Sequence, residues 1–299
     1  MVKDRMSVFE AQNSYFEIVE PLTQRIPFVF NSPHSGRNYP ASFLEQSRLD
    51  AHTLRRSEDY YADELFAAGA LLGAPLLKAH FPRAYVDVNR EPYELDARMF
   101  EGSIPPYANR NSARVAGGLG TIPRLVAENM DIYNGKLPID EAIWRIETIY
   151  KPYHATLRKL IAATHVHFGQ AVLIDCHSMP GNIRVGGTGQ RPDIIVGDRH
   201  GTSAAPHIAL AAVEILEGLG FSVARNKPYA GGFITEHYGR PARSLHALQI
   251  EVSRALYIDE TTLEKKPDFH ILAEMLGEFL ARLVAHVGAE SRTDSLAAE

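Results

Sequence analysis

Three short segments, far apart in the chain, each place a metal-ligand type of side chain or a carboxylate at or inside an apolar run. His34 follows the apolar stretch of FVFNSPHSG, His177 follows that of AVLIDCHSM, and Glu251 lies inside HALQIEVSR. In an open α/β sheet, ligands bind outside the carboxyl ends of the strands. Two imidazoles and a carboxylate delivered there predict a hydrolytic zinc site, because zinc binds nitrogen and oxygen ligands and makes a bound water acidic.

Both histidines are expected to lie on loops just past a strand. Pro33 cannot continue a β-ladder, so the segment after it should turn and present His34. The strand before His177 is expected to end just ahead of that residue. Asp175, if buried there, needs a partner, which could be the second nitrogen of a metal-bound imidazole. For either histidine alone, a hydrogen bond to a nearby carbonyl is the simpler explanation.

A carboxylate from the segment RRSEDYYADELF is expected as the third ligand. This segment holds Glu58, Asp59 and Asp63. Acids in a first helical turn are favoured by the macrodipole and Ser57 could cap that helix, so each acid also has a structural explanation. Asp59 and Asp63, four residues apart, would repel each other unless a cation lies beside them. Spacing alone does not separate Glu58 from Asp59.

Glu251 alternates with apolar residues and therefore points into a buried layer or into a cleft. A buried carboxylate is costly unless it is paired or functional. The structural hypothesis pairs Glu251 with Arg254, three residues later. The functional hypothesis makes Glu251 the base that takes a proton from a zinc-activated water.

Several arginines could bind an anion, because the planar guanidinium fork matches a carboxylate. Arg83 and Arg90 flank the segment AYVDVN, and Arg184 lies in a Gly-rich loop after the second histidine, which could act as a lid. As the structural alternative, Arg83 or Arg90 could simply pair with Asp87 or Glu91.

Composition excludes several classes of protein. The chain has 299 residues, 45% of them hydrophobic, enough for one large α/β domain or two modest ones. A net charge of -5 without a long basic run argues against nucleic-acid binding and favours small-molecule partners. The single cysteine excludes an intrachain disulfide. We see no signal peptide and no membrane-length apolar stretch, so a cytoplasmic location without a membrane partner is expected.

Short segments rich in Val, Ile and Leu alternate with longer segments in which apolar residues recur at helical spacing. The predicted strands cover 27–31, 75–81, 84–89, 171–176, 193–197, 222–226 and 247–253. The predicted helices cover 59–70, 139–167, 204–219 and 268–287. This alternation predicts a layered α/β fold with helices on both faces of a mixed or mainly parallel sheet.

No linker divides the chain, so residues 1–288 are expected to form one domain. Residues 91–138 are less periodic and rich in Pro and Gly, which predicts an insertion over the sheet edge. Residues 289–299 are expected to be a disordered tail.

Six segments in register resemble the N-formylglutamate amidohydrolases over roughly residues 15 to 285. They are SPHSGRNYP, FPRAYVDVNRE, GLGTIPR, IDCHSMPG, NKPYAGGFITEHYG and HALQIEVSRALY. That family is related in fold to the zinc carboxypeptidases and aspartoacylases. The resemblance implies a three-layer α/β/α sandwich on a mixed, mainly parallel sheet, with one zinc per chain held by two histidines and an acid. It also implies hydrolysis of N-formyl-L-glutamate to formate and L-glutamate, a step of histidine degradation.

The resemblance assigns roles residue by residue. His34 and His177 match the imidazole ligands, and Glu251 falls at the general base. The carboxypeptidase branch keeps its acidic ligand three residues after the first histidine, where this chain has Arg37. The acid must therefore come from later in the chain, and Asp59 aligns with the family's acid better than Glu58 does.

The implied substrate is a small dicarboxylate, which needs cations. Arg90 is the candidate that stabilises the oxyanion, and Asp175 is the candidate that orients His177. The candidate substrate-binding residues are Arg83, Arg184, Arg254 and Asn89.

Other functions remain open on the sequence. A related zinc hydrolase could act on another N-acyl amino acid or on a small peptide, because only the lining of the site would differ. A binding protein could use the two histidines for a structural metal, although Glu251 argues against this. A Cys176 nucleophile is disfavoured, because Cys176 and His177 are adjacent in the chain and point to opposite faces of a strand.

Overall fold

One seven-stranded sheet organises the computed structural model, which describes residues 15–187 and 189–297, with side chains described as far as residue 289. The strands, in order across the sheet, are β1 (Phe16–Val19), β3 (Leu76–Ala79), β2 (Phe28–Ser32), β8 (Ala171–Met179), β11 (Leu245–Ser253), β9 (Ile194–Gly197) and β10 (Val223–Arg225).

The sheet is mixed and mainly parallel. β8 pairs in parallel with β2 and with β11, and β10 pairs in parallel with β9. The pairing of β11 with β9 is antiparallel. The predicted α/β fold on a mixed, mainly parallel sheet is therefore confirmed.

Helices and short strands connect this sheet. The helices are α1 (Ala41–Gln46), α2 (Ala51–Leu54), α3 (Ala62–Leu65), α4 (Ala68–Leu72), α5 (Ala113–Ala116), α6 (Ile139–Arg145), α7 (Lys151–Phe168), α8 (Pro206–Gly218), α9 (Phe233–Tyr238) and α10 (Phe269–Ala297). Two further strand pairs are β4 (Phe100–Glu101) with β7 (Leu137–Pro138), and β5 (Leu125–Ala127) with β6 (Met130–Asp131). None of the described helices combines the length and apolar character that spanning a membrane would require.

The chain divides into two compact units. The first takes in residues 15–17, 33–58 and 78–157. Its interior contains a fully buried arginine, Arg145, whose guanidinium lies 3.9 Å from the ring centroid of Tyr85 and donates to the hydroxyl of Tyr133. The second takes in residues 18–32, 59–77 and 158–297. A large apolar cluster fills its interior, in which side chains of β2, β8 and β11 pack with those of α8 and α10.

Alternation along the central strands separates an apolar face from a polar one. On β8, Ile174 and Cys176 belong to the apolar cluster, whereas Asp175 and His177 point the other way. The same alternation on β11 puts Ile250 in the cluster and its neighbours on the opposite face. Both strands are buried on both faces, so each polar side chain there needs a partner.

Four local predictions differ from the structure. Residues 84–89 form turns rather than a strand. Their run of apolar residues reflects burial of the side chains and not β-pairing. In place of the helix predicted over 59–70 there are two short helices, α3 and α4. The first begins only after Tyr61, whose backbone is left-handed. Strand β8 continues to Met179, because β11 pairs with it along its whole length. Helix α10 continues to Ala297, beyond the end predicted at residue 287, and residues 298–299 lie outside the described residues.

The tight packing of α4 against β2 generates a stability prediction. A Cβ added at Gly69 would lie 2.4 Å from the buried ring of Phe30. We expect Gly69→Ala to lower the free energy of unfolding by about 1–3 kcal/mol in urea titrations, the usual cost of overpacking. The matched control is Gly218→Ala in α8, where a Cβ meets no atom within 4 Å. That change should be neutral or stabilising by up to about 1 kcal/mol. Equal free energies of unfolding for the two variants would contradict the tight packing of Gly69 against Phe30.

Candidate metal centre and active site

Within the described part of the chain, one group of histidine and acidic side chains has the arrangement of a metal site. His34, Asp59 and His177 are all buried and each offers one ligand atom, and these atoms lie within 4.8 Å of one another. A tetrahedral zinc with bonds of about 2.0–2.1 Å keeps its ligand atoms about 3.3 Å apart. The group is therefore close in size and chemistry to a site with two imidazoles and one carboxylate.

His34 lies two residues after β2, in the predicted turn, and is 1% exposed. Its Nε2 lies 2.8 Å from Oδ1 of Asp87. The turn that carries it needs a glycine, because a Cβ at Gly36 would lie 2.1 Å from the carbonyl oxygen of Phe81. The chain path and one carboxylate thus fix the orientation of the His34 ring.

Asp87 is the anchor of this histidine and of two arginines. It accepts a hydrogen bond from Nε of Arg83 at 3.0 Å, and Nη2 of Arg90 lies 3.5 Å away. Burial would raise the pKa of Asp87, but Arg90, Arg83 and His34 outweigh it and hold that pKa well below its ordinary value. Asp87 is therefore ionised and can fix the Nε2–H tautomer of His34.

His177 is held on both sides by carboxylates. Its Nδ1 lies 2.8 Å from Oδ2 of Asp59, and its Nε2 lies 2.9 Å from Oδ2 of Asp175. Asn31 on β2 donates to the other oxygen of Asp175 at 2.7 Å. Burial lowers the pKa of His177, but Asp175 and Asp59 together raise it well above its ordinary value. The predicted loop position of His177 is wrong, because this residue lies inside β8, on its polar face.

The structure separates the two adjacent acids Glu58 and Asp59. Asp59 accepts from the hydroxyl of Ser178 at 3.2 Å and from Nη2 of Arg254 at 3.3 Å, beside His177. Glu58 instead accepts from the hydroxyl of Tyr39 at 2.6 Å and from Arg55.

Neither acid lies in the first turn of a helix. Ser57 ends a 3-10 turn rather than capping a helix, and α3 begins only at Ala62. The helix-dipole explanation therefore applies to Asp63 and not to Glu58 or Asp59.

Glu251 lies on β11 in direct register with His177 on β8, and it is 7% exposed. In parallel strands, residues in register project from the same face of the sheet. The amide nitrogen of Gln249 donates to Oε1 of Glu251 at 2.7 Å. Arg254, the partner predicted for Glu251, forms an ion pair with Asp59. This ion pair competes with the predicted pairing of Arg254 with Glu251.

The remaining predicted residues fall into two environments. Arg83, Arg90 and Asn89 surround Asp87, and the backbone N–H of Asn89 donates to it at 2.8 Å. Arg90 also donates to the carbonyls of Leu119 and Asn89, and burial lowers its pKa to about 10, so it stays cationic at neutral pH. Arg184 is exposed and donates to the carbonyl of Gly189 in its own loop.

Sequence comparison gives the family of the chain. The family model described as N-formylglutamate amidohydrolase matches residues 26–258. The chain belongs to the N-formylglutamate amidohydrolase family. An N-formylglutamate deformylase of Pseudomonas putida is 30% identical over 240 residues, covering 79% of this chain and 84% of the relative. One from Pseudomonas aeruginosa is 28% identical over 243 residues, with the same coverage.

Solved structures agree with this assignment. The crystal structure of N-formylglutamate amidohydrolase from Ralstonia eutropha JMP134 has a TM-score of 0.86 at 34% identity, covering 92% of this chain and 99% of that one. A gene product of Agrobacterium tumefaciens shares the fold alone, with a TM-score of 0.66 at 19% identity. The predicted family and the predicted hydrolysis of an amide bond are thus confirmed.

Three residues beside the candidate site are not among the site residues predicted from the sequence. Asp87 interrupts the apolar run AYVDVN in the same way that Asp175 interrupts its strand, and that signal could have found it. Gln249 precedes Glu251 by two residues and so shares its face of β11. Ser178, which donates to Asp59, follows the second histidine directly.

Cys176 lies apart from the candidate metal group. Its thiol lies in the apolar cluster on the face of β8 opposite His177, and burial raises its pKa well above the ordinary value. This position argues against a nucleophilic role for Cys176.

The contacts of Glu58 and Asp59 generate a prediction for metal binding. Asp59→Ala should reduce the metal content of the purified protein severely, since it removes one member of the three-residue group. Glu58→Ala should keep the metal, because Glu58 is engaged by Tyr39 and Arg55. Both changes remove a buried carboxylate, so each controls for the other. Elemental analysis by mass spectrometry measures the outcome, and loss of metal from the Glu58 variant alone would reverse the assignment.

Proposed function

We propose that this protein hydrolyses N-formyl-L-glutamate to formate and L-glutamate, using one zinc per chain. The observation that carries the proposal is the buried group of His34, Asp59 and His177, with Glu251 in register beside His177. Membership of the family and relatives named N-formylglutamate deformylase support the choice of substrate.

The proposed ligand atoms follow from the contacts of each ring. Nε2 of His34 lies against Asp87 and Nε2 of His177 against Asp175, so Nδ1 of each ring would bind the metal. A carboxylate on the far nitrogen of a ligand histidine is the usual arrangement around zinc, because it fixes the ring and makes it more basic. Three protein ligands with a fourth position for water or substrate are typical of catalytic zinc.

A bound zinc would supply a Lewis acid and an acidic water at this site. The chain must then supply a base and charge stabilisation. Glu251 is proposed to accept the proton of the attacking water and to pass it to the leaving nitrogen of glutamate. Arg90, anchored by two carbonyls and cationic, is proposed to stabilise the negative charge that develops on the formyl oxygen.

The glutamate part of the substrate would be recognised by cations. Among the candidates, Arg83 is best placed, because it is partly exposed while its Nε is fixed by Asp87. Asn89 lies beside it on the same anchor. Arg254 is buried against Asp59, and Arg184 bonds its own loop, so their proposed contacts with substrate have less support.

Several predictions of wider scope accompany this proposal. They are a single hydrolase domain over residues 1–288, a cytoplasmic location and a place in histidine degradation.

The division of roles between ligand and base can be tested with two variants. Glu251→Gln should keep zinc but lower kcat by about 10²–10⁴-fold, because an amide cannot accept the water proton. His177→Ala should lose both zinc and activity. Formate release and zinc content are measured on the same preparations. Loss of zinc from the Glu251 variant would make Glu251 a ligand and would overturn its proposed role as base.

Substrate choice gives a second test. N-formyl-L-glutamine lacks one carboxylate and should leave an arginine without its partner, a loss of about 2–5 kcal/mol in transition-state binding. N-acetyl-L-glutamate should be rejected by steric overlap at the formyl pocket instead. In steady-state assays, Arg83→Ala should remove the preference for glutamate over glutamine and keep the preference for formyl over acetyl. Equal kcat/KM for the two formyl substrates in the unmodified enzyme would favour an acylase with another substrate.

A further inference from the structure

We infer that Gln249 is a positioning residue that holds the carboxylate of Glu251 in its working orientation. The inference rests on the proposed function, in which Glu251 is the base. It assigns a role to a side chain that belongs to neither the metal group nor the substrate-binding set.

The side-chain amide of Gln249 forms a hydrogen bond at each end. The backbone N–H of Gly232 donates to Oε1 of Gln249 at 2.8 Å, and Nε2 of Gln249 donates to Oε1 of Glu251 at 2.7 Å. A backbone N–H can only donate and an ionised carboxylate can only accept, so the amide of Gln249 fits in one orientation. Gln249 is 5% exposed. Another side chain could therefore take over its hydrogen bond to Glu251 only if the protein interior rearranged.

Glycines bring the Gly232 N–H to this position. Gly197 on β9 is the register partner of Gln249, and a Cβ there would lie 2.8 Å from the carbonyl carbon of Ala230. Gly231 has φ +124, a conformation that other residues rarely adopt, and a Cβ on it would meet the hydroxyl oxygen of Thr235 at 2.4 Å. The loop that carries Gly232 therefore packs closely on the strand beside Gln249.

The hydrogen bond between Gly232 and Gln249 gives a role to a sequence segment that contributes no residue to the group of His34, Asp59 and His177. The segment NKPYAGGFITEHYG contains the two glycines of the loop, and it leads into α9. The hydroxyl of Thr235 donates to the carbonyl of Gly232 at 3.0 Å and secures the start of that helix. The backbone N–H of Gly232 thus lies at the start of a hydrogen-bonded helix, and Gln249 links it to the carboxylate of Glu251.

A hydrogen bond to Oε1 restricts rotation of a carboxylate on a flexible side chain and so sets where Oε2 lies. Small misplacement of a reacting group can cost about 10²-fold in rate. A residue that acts in this way should change kcat, whereas a residue that only fills the interior should change stability.

The test uses Gln249→Met, which keeps the volume and removes both hydrogen bonds. We expect kcat for N-formyl-L-glutamate to fall about 10–100-fold, with KM within about twofold and zinc content unchanged. The matched control is Ser203→Ala, which removes a buried hydrogen bond of 2.8 Å to the carbonyl of Ala247 on the same strand. This control should lose stability but keep kcat within about twofold. If the Met variant does not fold, Gln249→Asn, whose amide is too short to bridge both partners, takes its place with the same expected loss of kcat.

A double-mutant cycle separates positioning from a general structural effect. In Glu251→Asp the shorter carboxylate is withdrawn from the amide, so adding the Gln249 change should cause little further loss of kcat. Independent, multiplicative losses would overturn the positioning role, as would an unchanged kcat in Gln249→Met. If kcat is instead unaffected in Glu251→Gln and Glu251→Asp, the proposed role of Glu251 as base fails. If the unmodified enzyme releases no formate from N-formyl-L-glutamate, the proposed function itself fails. Each of these outcomes differs from a failure of the Gln249 role alone.

Discussion

A buried imidazole between two carboxylates is the interaction on which this site depends. The ring of His177 lies 2.8 Å from Asp59 on one side and 2.9 Å from Asp175 on the other, with almost no solvent access. Two buried carboxylates facing one ring are stable only if positive charge accompanies them. Asp175 and Asp59 accordingly raise the pKa of His177 well above its ordinary value, and Arg254 forms an ion pair with Asp59. A divalent cation held by Asp59 and His177 would supply the same kind of positive charge.

Strand alternation makes this arrangement compatible with folding. The residues between the polar ones on β8 and β11 supply the apolar cluster, so each strand serves the interior on one face and the site on the other. The polar face is satisfied by fixed partners: Asn31 on Asp175, Gln249 on Glu251, and Ser178 on Asp59. A shift of either strand by one residue would exchange the two faces, so register and chemistry are specified together.

The sequence predicts the part of this architecture that local pattern controls. Apolar runs locate β2, β8 and β11, and polar residues ending or interrupting those runs identify His34, His177 and Glu251. Prediction from the sequence fails where a residue's pairing strand or hydrogen-bond partner comes from a distant segment of the chain. Residues 84–89 look like a strand because they are buried, and β8 extends past its predicted end because β11 pairs with it there. Spacing cannot distinguish Glu58 from Asp59, since their partners lie elsewhere in the chain: Tyr39 for Glu58, and Ser178 and Arg254 for Asp59.

The most direct measurement is a titration of metal-free protein with zinc, following bound metal and formate release from N-formyl-L-glutamate in the same samples. A site built from His34, Asp59 and His177 predicts that activity is absent without metal, rises in proportion to bound zinc and saturates at about one zinc per chain. Full activity in the metal-free protein, or saturation only after a second zinc binds, would contradict the account.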